Sequence, residues 1–261
     1  MSHRGSDVDD QEFVSAQQNN TYSASNAKPS KRNGVLTLIG GVSLMLYLGC
    51  FFLWGNISVY VVSYFHYVNN TNDFSFIYLV DSLLVFFNLA GYQIGTFLFQ
   101  KKRWNVKLVL TIGCVLSLTG NFLSAYTETI APYLACYTLM NGIGSGMCYM
   151  VPLICGWEYF PDKRGLVTGI CLGGYGFGSF IFSQVSTAIV NPDGDQPIDD
   201  PTNSINFYEE KIAMRVPEMI KKLVYIWIGL AVLGIALITR PPTIAPNDNA
   251  DMETEQRLLS Q

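Results

Sequence analysis

Residues 34–67 read GVLTLIGGVSLMLYLGCFFLWGNISVYVVSYFHY, a run without a single Asp, Glu, Lys or Arg. A helix on the surface of a soluble domain keeps one polar face, which this run lacks. The hydrocarbon core of a bilayer is about 30 Å thick and a helix rises about 1.5 Å per residue, so about 20 mostly apolar residues cross it. The stretch therefore predicts a transmembrane helix, long enough to tilt or to protrude from the membrane.

Five further runs of the same character follow, at 74–99, 106–126, 131–155, 166–190 and 223–239, the last being the shortest. The expected fold class is all-α, a polytopic membrane protein whose domain at 34–239 is a six-helix bundle. Residues 1–33 and 240–261 are polar and are expected to be disordered tails. The connection at about 191–222 is expected to be a long loop, rich in turn formers (Asn191-Pro192-Asp193-Gly194-Asp195), with room for a short amphipathic segment.

Composition agrees with lipid as the solvent. The chain is 49% hydrophobic and 14% charged, whereas about a quarter of residues are charged in soluble domains. A net charge of −4 leaves no electrostatic footprint for nucleic acid. The six cysteines fall inside or at the ends of apolar runs with no C-x-x-C pair, and His3 and His66 are the only histidines, so neither a disulfide framework nor a metal site is expected. No nucleophile-base constellation or phosphate-cradling loop stands out, so no enzyme activity and no cofactor are expected. The first 33 residues have no apolar segment of the kind found in secretory signals. Asp7, Asp9, Asp10 and Glu12 argue against a mitochondrial presequence and leave a plasma membrane or endomembrane as the expected location.

The basic residues avoid the interiors of the runs, as lipid demands. Lys28, Lys31 and Arg32 precede the first, Lys101, Lys102, Arg103 and Lys107 lie around the connection of the second to the third, Lys163 and Arg164 join the fourth to the fifth, and Arg240 follows the sixth. With six crossings these segments share one side. The connections around 69–73 and 127–130 have no Lys or Arg, although 191–222 has four. The positive-inside rule then places both termini in the cytoplasm. Asn69-Asn70-Thr71 is a glycosylation sequon on the opposite side.

The sharpest local signal is Trp157-Glu158-Tyr159-Phe160-Pro161-Asp162-Lys163-Arg164-Gly165, followed by Gly169 and by 173–179, GGYGFGS; it is preceded by Asn141-Gly142-Ile143-Gly144-Ser145-Gly146, Tyr149 and Pro152. It resembles the fourth and fifth helices of major facilitator superfamily transporters, in particular the oxalate/formate antiporter or monocarboxylate porter branch, where such a run leads into a glycine-rich helix. The likeness extends over about residues 34–239 in helix count and corresponds to the N-terminal six-helix half of that fold. The superfamily's gate motif after the second helix is degenerate here. Gly95 and Arg103 hold plausible positions, but Phe99 stands where the family places Asp, and Lys102 where it usually has Gly.

Physics has its own account of the glycines. In lipid, close backbone approach between helices needs small side chains, and Gly165, Gly169 and Gly173 recur every fourth residue, as do Gly142 and Gly146. Phe160, Pro161, Lys163, Arg164, Gly165, Gly169 and Gly173, with Gly95 and Arg103, are accordingly the candidate packing or gating residues, and the Gly169 face is expected to pack against a neighbour.

Candidates for a substrate pathway come from polar residues in the runs. Asp81 is the only acidic residue well within one, where it either reaches interfacial water or serves a proton or substrate pathway. Asn88 and Tyr92 continue a stripe from Asp81 to Gly95, Asn56 lies in the first run, and Asn141, Ser145 and Tyr149 form a row on the fourth that Tyr175 and Gln184 of the fifth could join. Interhelical hydrogen bonding is the alternative for each row. Trp54 and Tyr60 read as an interfacial belt, and His66 as an exposed interfacial histidine.

The resemblance implies secondary transport of a small organic solute, such as a carboxylate, by alternating access between two six-helix bundles. The expected partners are the lipid bilayer, the solute, and a second transporter half or another copy of the chain. A non-transporting structural or regulatory subunit of a membrane complex is the alternative.

Overall fold

A computed structural model describes residues 31–69, 76–200 and 205–241. Arg32–Arg240 form one compact unit. The expected tails lie outside the described residues except for 31–33, which are not disordered but open the first helix, and 240–241; Asn70 and Thr71 of the sequon also lie outside.

Among the described residues six helices are long and apolar enough to cross a membrane. They are α1 (Lys31–Asn69), α2 (Phe76–Lys101), α3 (Val106–Ser124), α4 (Ile130–Tyr159), α5 (Pro161–Val190) and α6 (Glu210–Leu237). The most buried is α4, which packs along both α2 and α3. Three of these helices change pitch. A 3-10 segment, Gly49–Leu53, interrupts α1, and π-helical turns occupy Phe97–Lys101 at the end of α2 and Leu134–Met140 in α4.

The glycines explain where helices touch. A Cβ on Gly178 of α5 would collide with the carbonyl oxygen of Leu46 in α1, and one on Gly49 with that of Tyr175. Gly146 of α4 is pressed against the Asn88 carbonyl of α2, and Gly95 of α2 against that of Met147. With no hydrophobic drive between helices in lipid, these close approaches supply the van der Waals packing that holds the bundle.

Two boundaries differ from the sequence expectation. The helix proper of the sixth span begins at Val216, not 223, because Lys221 and Lys222 lie within its first two turns and mask the helix in a hydropathy profile. The connection before it is correspondingly shorter and is not merely a loop. It carries an antiparallel pair, β1 (Ile198–Asp200) and β2 (Ile205–Phe207), and a helical turn at Glu210–Ala213. It docks on α1, where the Tyr208 N–H donates to Ser63 Oγ at 3.0 Å, Tyr208 stacks on Tyr60 at 4.5 Å, and Phe207 stacks on His66 at 4.5 Å. Tyr60 is thereby buried, and Trp54 is buried against Tyr133 and Tyr137, so neither belongs to an interfacial belt, and His66 is half-buried rather than exposed.

Candidate functional site

Three of the pathway candidates come together. Tyr92 of α2 lies 6.3 Å from Tyr149 of α4, ring centre to ring centre, and Tyr149 lies 5.4 Å edge-on from Tyr175 of α5. Phe52 of α1 extends the row, 5.4 Å from Tyr175. Four helices thus contribute to one line of aromatic rings. The three tyrosines are half-buried and Phe52 is exposed. Among the described residues none of the three hydroxyls has a protein hydrogen-bond partner. A phenol is a donor when it meets an acceptor, and the rings present an apolar body beside that polar tip. The row is chemically suited to a small molecule with an apolar end and an anionic oxygen. Tyr175 lies 11 residues beyond Arg164, about 16 Å along the helix axis, or roughly half of a 30 Å hydrocarbon core.

The asparagines do something else. Asn56 donates from Nδ2 to the Ser183 carbonyl and to the hydroxyls of Ser186 and Thr187 at 3.1–3.2 Å, pinning α1 to α5. Asn88 donates to Ser145 Oγ at 3.0 Å and to the Gly142 carbonyl at 3.4 Å, pinning α2 to α4 one turn from the tyrosines. Asn141 is buried and ends a chain of hydroxyls, in which Tyr47 donates to Ser117 at 2.6 Å and Ser117 to Asn141 Oδ1 at 2.7 Å, linking α1, α3 and α4. Tyr47, Ser117 and Phe52 were missed by sequence reasoning, since a lone tyrosine, serine or phenylalanine in an apolar run carries no local signal. Asp81 and Gln184 are exposed on α2 and α5 and do not join the row.

The glycine row of α5 is placed differently from its expectation. A Cβ on Gly165, Gly169 or Gly173 would meet nothing within 4 Å, so this face does not pack inside the chain. Gly174 and Gly178 make the contacts with α1 instead. Spacing by four was right for a helix face and silent on which face meets protein.

The basic end of the bundle shows how the connection from α4 to α5 is built. Phe160 covers Gly34 of α1, Pro161 opens a 3-10 turn, and Trp157 Nε1 donates to Thr168 Oγ1 at 2.9 Å across the corner. Lys163 and Arg164 stand exposed there. Phe99, at the family's Asp position, is fully buried, and the Arg240 guanidinium lies 4.8 Å from its ring. Arg240 in turn makes a bidentate pair with Glu158, Nε to Oε2 at 2.9 Å and Nη2 to Oε1 at 2.5 Å, and this hydrogen-bonded carboxylate raises the arginine's pKa above its ordinary value. An ion pair and a cation-π contact thus join the ends of α2, α4 and α6. Next to Lys102, Arg103 adopts a φ of 52°, the left-handed turn that glycine favours.

No family model matches the chain. Curated relatives do. A 261-residue alignment with apicoplast pyruvate carrier 1 of Toxoplasma gondii shows 27% identity and covers 84% of this chain and 48% of that protein. The chain is related to major facilitator transporters. Monocarboxylate transporter 12-B of Danio rerio is 26% identical over 63% of this chain and 35% of its own length, and the oxalate:formate antiporter of Oxalobacter formigenes is 30% identical over 40% and 25%. The chain spans about half the length of the first of these relatives and less of the others.

Proposed function

We propose that this chain forms one wall of a secondary transport pathway for a small monocarboxylate, working by alternating access against a second six-helix bundle on the same or another polypeptide. The observation that carries it is the row Tyr92, Tyr149 and Tyr175 with Phe52, drawn from four spans and left partly open, with three uncommitted phenols. Transporters of this architecture hold substrate near the midplane between two bundles, and the row lies at about that depth. The printed names of the relatives, a pyruvate carrier, a monocarboxylate transporter and an oxalate:formate antiporter, support the substrate class.

Within the described spans Lys and Arg stand only toward the ends, Lys221 and Lys222 reaching furthest in, within two turns of the start of the helix at Val216. An unpaired carboxylate in a cavity of low dielectric costs several kcal/mol even after relaxation, so the opposing bundle supplies the counter-charge. Tyrosine donors then orient the substrate rather than neutralise it. The competing reading, a membrane subunit that does not transport, is favoured by Phe99 in place of the gate aspartate. Reconstitution into liposomes with and without a second bundle, followed by uptake of labelled pyruvate, lactate, formate and oxalate, separates the two. Saturable uptake that requires the second bundle is expected. Uptake by a crosslink-verified monomer would overturn the two-bundle proposal, and no uptake in any assembly would favour the subunit reading.

A further inference from the structure

Away from the tyrosine row, α3 and α6 leave a groove of about 560 Å³ between them. Its walls are almost wholly apolar, with Val115 and Leu118 on one side and Ile228, Val232 and Ile235 on the other. It runs along α3 from Lys107 to Thr119, which is about 18 Å at 1.5 Å per residue. That is close to the depth of one leaflet, about 15 Å of a 30 Å core. An apolar slot of that depth suits an acyl chain lying along the two helices.

Its mouth is charged. Lys107 lines the groove and its Nζ donates to the carbonyl of Ala236 at 3.5 Å, which engages one of its three N–H donors. Lys101, Lys102 and Arg103 precede it in the chain, and no Asp or Glu occurs in residues 97–124 or 223–240. Trp104, 40% exposed, sits at the same end, as aromatic residues do at the headgroup level.

We propose that this groove is a binding site for one anionic phospholipid, with an acyl chain between α3 and α6 and its phosphate at Lys107. The apolar slot supplies tail affinity without regard to headgroup, and the uncompensated cations supply the preference for a negative one. A basic residue near an anionic headgroup is worth about 1 kcal/mol, or about fivefold in occupancy.

Native mass spectrometry of the protein in mild detergent, offered equal phosphatidylglycerol and phosphatidylcholine, tests this. The wild type is expected to retain one phosphatidylglycerol about fivefold or more over phosphatidylcholine. Lys107→Gln should keep a bound lipid but lose most of the preference. Val232→Trp and, independently, Val115→Trp should fill the slot and lose both lipids, with thermal unfolding confirming that each variant folds. Equal retention of the two lipids by the wild type, as for a merely annular lipid, would overturn the proposal. So would an unchanged preference in Lys107→Gln, or a dimer with no bound lipid whose formation Val232→Trp abolishes.

Discussion

Substituting alanine at Gly169 and at Gly178, nine residues apart on α5, should change stability in opposite directions. At Gly178 the added methyl would sit on the carbonyl oxygen of Leu46, with the Cα of that residue also too close. Backbone atoms cannot step aside as a side chain can, so α1 and α5 must separate. Overpacking of this kind costs about 1–3 kcal/mol, and the loosened interface also carries the Asn56 hydrogen bonds to Ser183, Ser186 and Thr187. At Gly169 the methyl meets nothing within 4 Å, and alanine is favoured over glycine inside a helix by up to about 1 kcal/mol. Since 1 kcal/mol corresponds to about 2–4 °C in a domain of 150–250 residues, Gly178→Ala should lower the unfolding temperature by about 2–12 °C and Gly169→Ala should leave it unchanged or raise it by a few degrees. Thermal unfolding of the purified chain in detergent, followed by size-exclusion fluorescence, measures both. Wild-type stability for Gly178→Ala, or a loss at Gly169→Ala in the isolated chain, would refute the assignment of these two faces.

Ser117→Ala removes the middle of the buried chain from Tyr47 to Asn141 and should destabilise by about 1–3 kcal/mol, because two buried polar groups lose a partner; the double variant Ser117→Ala, Tyr47→Phe should recover part of that in the same unfolding assay. Arg103→Gly should stabilise by about 1 kcal/mol, since it relieves a left-handed backbone that costs a side-chain-bearing residue about 1–2 kcal/mol, and a lower unfolding temperature would show that the guanidinium contributes more than the strain. Both termini should prove accessible from the cytoplasm when tagged at Met1 and Gln261, as the basic-residue asymmetry implies, and accessibility from opposite faces would contradict an even number of crossings.

The helix count was legible because apolar length is a one-dimensional quantity: the run at 34–67 contains no charge, and a helix of that composition has no soluble alternative. The start of α6 was not, because Glu218, Lys221 and Lys222 lie in its first two turns while its apolar interior begins only at Leu223. Interfaces were legible only in part. Gly142 and Gly146 share a four-residue spacing with Gly165 and Gly169, yet the first pair is pressed on α2 and the second faces open space. Nothing in spacing distinguishes them, because the choice depends on where other helices lie. Tyr92, Tyr149 and Tyr175 could be picked out as polar groups in apolar runs, but their alignment across three helices, and the addition of Phe52, is a property of the fold. Trp54 and Tyr60 misled for the complementary reason: aromatic residues near a helix end suit an interface unless other parts of the chain cover them, here the loop bearing Tyr208 over Tyr60 and the α4 rings Tyr133 and Tyr137 beside Trp54.

The tyrosine row is tested most directly by uptake kinetics of labelled pyruvate in the assembly that transports, comparing the wild type with Tyr149→Phe and Tyr175→Phe and, as a control, with Leu89→Ala on the exposed surface of α2. A hydrogen bond to a charged group contributes about 1.5–3 kcal/mol, and 1.4 kcal/mol is tenfold in affinity. Each tyrosine variant should therefore raise KM about tenfold or more at wild-type abundance, while the control stays unchanged. Wild-type KM and kcat in both tyrosine variants would contradict a role for this row in substrate binding.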